Sequence, residues 1–263
     1  VKLTLKTVEK CQYITGMNPK AGSGVVNPRL QRHMTTFAIA MPNASSLMTI
    51  YKTFLGGHFA GGFIAEIGEL VESLVKATLV VHKEVTESFR KTAANFHYEF
   101  NIRHLSGVFQ GILMSSPARF KQPDSVAFLW LHECQRIYGD RLVSYEDLEK
   151  FDEIMKSNSK KAFGSFNMDK YFAAGSETPE PLIFCHFMEG LGEDPVYDQV
   201  HQMADLKKAL EDGLADYNET NATMDLVLFE DAMRHVCRIT RVINNPSGHC
   251  MLVGVGGSGK QSL

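Results

Sequence analysis

The chain has no apolar run approaching the roughly 20 residues that a bilayer-spanning helix needs, so no membrane partner is expected. It has no excess of basic charge either. Its 27 basic and 30 acidic residues leave a net charge of -3, which gives no surface suited to nucleic acid. No C-x-x-C pair occurs: Cys11, Cys134, Cys185, Cys237 and Cys250 lie far apart, as buried free thiols in a reducing compartment do. The histidines form no ligand spacing. His132-Glu133 opens a zinc-protease pattern, but Arg136 stands where H-E-x-x-H needs its second His, so no metal site is expected. The lone Trp130, beside Phe128 and Leu131, reads as core and not as a binding box. There is no internal repeat or low-complexity tract, and Val1-Lys2-Leu3-Thr4 is not a signal peptide. Asn43, Asn218 and Asn221 open glycosylation sequons, which mean nothing in a cytosolic protein.

What is present is concentrated at the other end. Asn244-Asn245-Pro246-Ser247-Gly248 is a turn signal, His249–Val253 a strand, and Gly254-Val255-Gly256-Gly257-Ser258-Gly259-Lys260-Gln261-Ser262 a glycine-rich loop. Gly254, Gly259 and Lys260 fit G-x-x-x-x-G-K, the opening of a P-loop. Glycines there let successive N–H groups of Gly256, Gly257, Ser258 and Gly259 face phosphate oxygens, while Lys260 brings positive charge to the β/γ-phosphates. Gln261 holds the place of the Ser/Thr that ligates Mg²⁺, and Ser262 is one residue late, so binding of ATP or ADP is better supported than fast hydrolysis. The plain alternative is a glycine-rich turn with a surface lysine. No acidic metal-binding strand comes after it, and the chain reads as a piece of a larger machine.

Between the ends, the fold class reads as α/β with a large helical portion. Strands are expected at Gln12–Met17 and Thr35–Met41, flanking a short helix at Arg29–His33 with Asn27 as N-cap and Pro28 at N1. A helical stretch succeeds them: Ala44–Leu55, broken by Gly56-Gly57, then Phe63–Arg90, Asn101–Met114, Asp124–Tyr138 and Ser144–Phe163. Residues 175–181 read as a linker and Leu182–Phe187 as a short strand. Met203–Glu219 is a helix, and so is Asp225–Ile243, whose apolar stripe is Leu226, Phe229, Met233, Val236, Thr240 and Ile243, with Glu230 and Arg234 paired outside.

Tyr13-Ile14-Thr15-Gly16-Met17-Asn18-Pro19, with Asn27-Pro28-Arg29-Leu30-Gln31-Arg32-His33, resembles the third AAA+ module of dynein heavy chains. The segment Met224–His235, leading into Gly254–Leu263, resembles the entry to the fourth module; axonemal members similarly write that P-loop with K-Q-S. Phe96–Arg103, Phe109–Leu113 and His186-Phe187 also fit, in the family's order. Lys20 and Met34 depart from its commonest spelling without touching any chemistry.

The resemblance implies partial AAA+ modules: 1–41 ending one α/β subdomain, 42–163 its helical lid, and 164–263 beginning the next α/β subdomain. It implies sensor I at Asn18, an arginine finger at Arg29 or Arg32 reaching the preceding module's nucleotide, and sensor II at Arg103. The bland readings are a turn-forming Asn, a solvated basic helix end and a surface arginine. For the whole protein it implies an ATPase motor with ATP/ADP and Mg²⁺, moving toward microtubule minus ends in the cytoplasm, cytoskeleton and ciliary or flagellar axoneme. Its implied partners are the rest of the heavy-chain ring, microtubules through a coiled-coil stalk elsewhere, and intermediate and light chains through a tail. This segment alone is expected to be inactive, with Lys260 serving a different site from Asn18. The rival readings are a ring scaffold that binds nothing and a part of another AAA+ remodelling ATPase.

Overall fold

The computed structural model describes residues 6–18, 26–172, 179–188, 190, 195–260 and 262. The chain divides into two compact units, Val1–Pro42 and Asn43–Leu263.

In the first unit the described residues form one short helix, α1 (Pro28–Gln31). Asn27 caps it, its side chain accepting from Arg29 N at 2.9 Å, and Pro28 fills N1, where no N–H partner is needed. The strands expected at Gln12–Met17 and Thr35–Met41 form no ladder among the described residues. A strand exists only by pairing its N–H and C=O groups with a neighbour. None of the described residues supplies one here, and Ile14 (97%) and Ile39 (95%) stand exposed.

The second unit is built on helices. They are α2 (Ala44–Phe59), α3 (Ala65–Glu69), α4 (Val71–Ser88), α5 (Ile102–Ile112), α6 (Pro123–Ile137), α7 (Tyr145–Phe163), α8 (Met203–Thr220) and α9 (Glu230–Asn244). The sheet is small: β1 (Phe184–Cys185) pairs antiparallel with β2 (Asp198–Gln199), Phe184 opposite Gln199. Pairing thus claims only the centre of the strand expected over Leu182–Phe187, although the whole run is buried. The strand expected at His249–Val253 is unpaired, with Met251 and Val253 exposed.

Helix α4 turns Val71, Leu74, Val75, Thr78, Val81 and Val85 to the core, a 3–4 repeat. Helix α6 is buried almost all round, from Val126 to Cys134, because α5, α7 and the 180s segment surround it. Trp130 is core, its indole N–H donating to Thr78 Oγ1 at 2.9 Å. A smaller cluster of Ile183, Cys185, Phe187, Val200, Leu206, Met233 and Cys237 lies beneath α8 and α9.

Three helix boundaries differ from expectation. Helix α2 runs through Gly56-Gly57, since burial of Leu55 and Phe59, at about 2 kcal/mol each, outweighs the roughly 1 kcal/mol helix cost of each glycine. The helix expected over Phe63–Arg90 breaks at Leu70, whose N–H bonds back to Ile67 O at 3.1 Å in a tighter turn. Helix α9 begins at Glu230, because Asn218 clamps Met224 in extended form by two bonds, Oδ1 from its N–H and Nδ2 to its C=O, at 2.7 and 3.0 Å. Its buried face is also different: Met233, Cys237 and Arg241, with Phe229 and Ile243 exposed. Of the five thiols expected to be buried, Cys134, Cys185 and Cys237 are, while Cys11 and Cys250 are exposed.

Candidate functional site

The glycine-rich loop follows α9, a turn in which Ser247 adopts φ 58, and residues 249–253. Gly257 and Gly259 both take φ 77, a left-handed conformation that favours glycine, so the backbone curls as a phosphate loop requires. A Cβ at Gly254 would come within 2.8 Å of Ser258 Oγ. Lys260 lies across this curl. Its ammonium donates to Gly254 O and Val255 O, both at 2.6 Å, and to Ser258 Oγ at 3.2 Å. Among the described residues its hydrogen bonds therefore all stay inside the loop. The small residues, the left-handed turns and the single lysine are a donor set that fits a nucleotide's phosphates. Ser262 is described and exposed, whereas Gln261 lies outside the described residues.

Arg103 stands exposed in the first turn of α5. Its backbone N–H is held by Asn101 Oδ1 at 3.0 Å, and no described residue pairs with its guanidinium. The cap is reciprocal: Asn101 N donates to His104 Nδ1 at 3.0 Å, a capping box with histidine at N3. Burial, with Arg141's charge added, brings the His104 pKa down to about 4, so the ring stays neutral and able to accept. In the first unit, Asn18 is exposed, as are Arg29 of α1 and Arg32, the residue that ends it; Arg32 Nε donates to His33 Nε2 at 3.1 Å.

A second constellation joins residues far apart in the sequence. Glu133 of α6 is fully buried and is gripped by Arg241 of α9. The Arg241 Nε lies 3.1 and 3.0 Å from the two carboxylate oxygens, and its Nη2 also donates to Oε2. Tyr197 OH donates to the other oxygen, Oε1, at 2.8 Å. Burial by itself would lower the Arg241 pKa; the charge and hydrogen bonds of Glu133 overcome that, and the net shift is upward. Alongside, Asp140 meets Arg136 Nε at 3.1 Å and Arg238 at 3.5 Å. His186 stacks on the Tyr197 ring at 4.4 Å, and burial followed by the Arg241 charge lowers its pKa to about 4. The only signal in the sequence was the i, i+4, i+8 row Met233, Cys237, Arg241, which an apolar-stripe reading passes over because it ends in a charge.

Residues 74–173 match the AAA+ lid domain, and residues 224–263 match the P-loop containing dynein motor region D4. The chain is 52% identical over its full length to the dynein alpha chain of the flagellar outer arm of Chlamydomonas reinhardtii. It is 49% identical to the ciliary dynein beta chain of Tripneustes gratilla and 46% identical to human dynein axonemal heavy chain 17, again over its full length. It spans 6% of the length of each of these relatives. The chain is thus homologous from end to end to the axonemal dynein heavy chains, in the stretch where an AAA+ lid leads into the next P-loop module.

Proposed function

We propose that the chain works as a segment of an ATP-driven microtubule motor ring, holding nucleotide at module boundaries and passing lid movement onward. The observation that carries this is the P-loop itself: two left-handed glycines and Lys260, within a region matched to a dynein motor model. In this reading the N–H groups of Gly256–Gly259 and the Lys260 ammonium bind the phosphates of ATP or ADP, exchanging the carbonyls of Gly254 and Val255 for phosphate oxygen. Mg²⁺, when bound, would neutralise phosphate charge, and Ser262, one residue after the usual Ser/Thr place, would be the hydroxyl to hold it. Asn18, as sensor I, and Arg103, as sensor II, attend the preceding module's nucleotide. Arg29 or Arg32 reaches into the module before that as its arginine finger. The partners are the remainder of the same heavy chain, microtubules bound through other regions, and intermediate and light chains; the place is the axoneme.

The test is Lys260→Ala in the heavy chain, read by titration with a fluorescent ATP analogue. One class of nucleotide site should be lost while the others persist. Unchanged stoichiometry would leave the segment a scaffold. The 263-residue chain alone should release no phosphate from ATP. Lys260-dependent turnover by it would overturn the assignment of the sensors and the P-loop to different sites.

A further inference from the structure

Burying an ion pair is costly, and a well-packed apolar pair of similar size is often as stable. Glu133 and Arg241 are 0% and 5% exposed, so stability alone is a poor reason for their presence. What a guanidinium fork on a carboxylate provides beyond apolar packing is direction: it fixes where one helix sits along the other and how it is rotated. Here the fork is supported from every side. Tyr197 holds the second carboxylate oxygen. One turn before Arg241, Arg238 of α9 reaches Asp140, which Arg136 of α6 also holds, so α9 is pinned to the α6 region at two points. On the far side α5 makes room: a Cβ at Gly111 would lie 1.7 Å from Glu133 Oε2, so Gly111 is what admits the carboxylate to this place.

The C-terminal end of α9 is itself firmly joined to the turn over residues 245–248. Asn245 N bonds Val242 O at 3.3 Å and Gly248 N bonds Asn245 O at 2.9 Å, while a Cβ at Gly248 would strike Val242 O at 1.7 Å. That turn leads through residues 249–253 to Gly254, so the C-terminal end of α9 sets where the approach to the loop begins. We propose that Glu133, a residue of the lid, is a positioning residue for the P-loop nucleotide site, acting through Arg241 and the register of α9. The proposal rests on the nucleotide-binding reading of Gly254–Lys260. It means that the lid of one module sets the affinity of the next module's site without touching its ligand.

The experiment is carried out on the heavy chain and tracks the Lys260-dependent component of fluorescent ATP-analogue binding. Glu133→Gln should weaken that component tenfold or more. Because this variant strands Arg241 in the interior and can unfold the segment, the paired replacement Glu133→Met with Arg241→Met is measured beside it. That pair leaves no lone charge and keeps apolar packing, so the thermal midpoint should stay near the parent's while nucleotide affinity remains weakened. Parent-like affinity in the folded Met/Met protein would overturn the positioning role and leave the pair as packing alone. If instead Lys260→Ala removes no binding component at all, the P-loop reading itself fails, and the inference with it.

Discussion

His104 closes the cap of α5 only as a neutral ring, because its Nδ1 must accept the Asn101 N–H. Protonation replaces that acceptor with a donor facing a donor. With its pKa brought to about 4 by burial and Arg141, and that of His186 to about 4 by burial and Arg241, both rings resist protons that the unfolded chain takes up near 6.5. Between those values the unfolded state binds more protons, so stability is full above about pH 6.5 and falls as pH drops toward 4. Asp140 acts in the opposite sense, since burial raises its carboxyl pKa. The urea midpoint should therefore fall between about pH 7.5 and about pH 5, and His104→Gln should reduce that fall. An identical pH slope in the variant would mean that the cap is not coupled to protonation. At this scale the sequence showed some roles and hid others. Trp130 could be assigned to the core from its apolar neighbours alone. Glu133 could not be placed, because its partner Arg241 is 108 positions away and nothing local distinguishes a buried carboxylate from a surface one.

Helices α5 and α6 meet along Gly107 and Gly111, one turn apart, facing Ile137 and Glu133. The two glycines ought to respond differently to a methyl group. At Gly107 a Cβ would sit 2.8 Å from Ile137 Cδ1, the free end of a side chain that can rotate away. Alanine's helix preference, about 1 kcal/mol over glycine, offsets that strain. At Gly111 the obstructing atoms belong to Glu133, which Arg241 and Tyr197 hold in place. Gly111→Ala should cost about 1–3 kcal/mol in chemical denaturation, and Gly107→Ala less than about 1. Equal costs would show that Glu133 yields as readily as Ile137 and is not fixed. Such close approaches are a matter of tertiary contact, and no glycine announces one in sequence. The helices themselves were legible, because caps such as Ser144 and the 3–4 repeat of α4 are local. Of the four expected strands only that over Leu182–Phe187 holds a paired segment, since the apolar runs at 12–17, 35–41 and 249–253 become strands only when a neighbour pairs with them. The start of α9 was misplaced for a related reason: the clamp from Asn218 overrides the helical pattern of Asp225–Phe229.

At the scale of the larger unit, a continuous apolar core runs from Tyr51 to Tyr197, and α5, packed on it, carries Arg103, the proposed sensor, on its exposed side. Its guanidinium has no partner among the described residues and lies at a helix start, where a cation is disfavoured by roughly 0.3–1 kcal/mol. A surface arginine gains nothing by that placement, whereas one that closes on a nucleotide phosphate regains more than it costs. A charge-assisted contact contributes about 1.5–3 kcal/mol, so its loss should weaken the closed lid roughly 10- to 100-fold. In the proposed motor, Arg103→Ala should accordingly alter how the ring responds to ATP while leaving basal turnover largely intact, because the dynein resemblance implies that the ring's main hydrolysis sits in its first module, outside this segment. The measurable outcome is microtubule release that answers poorly to ATP at near-normal basal ATPase. Normal ATP-driven release by Arg103→Ala would reduce that arginine to a surface residue.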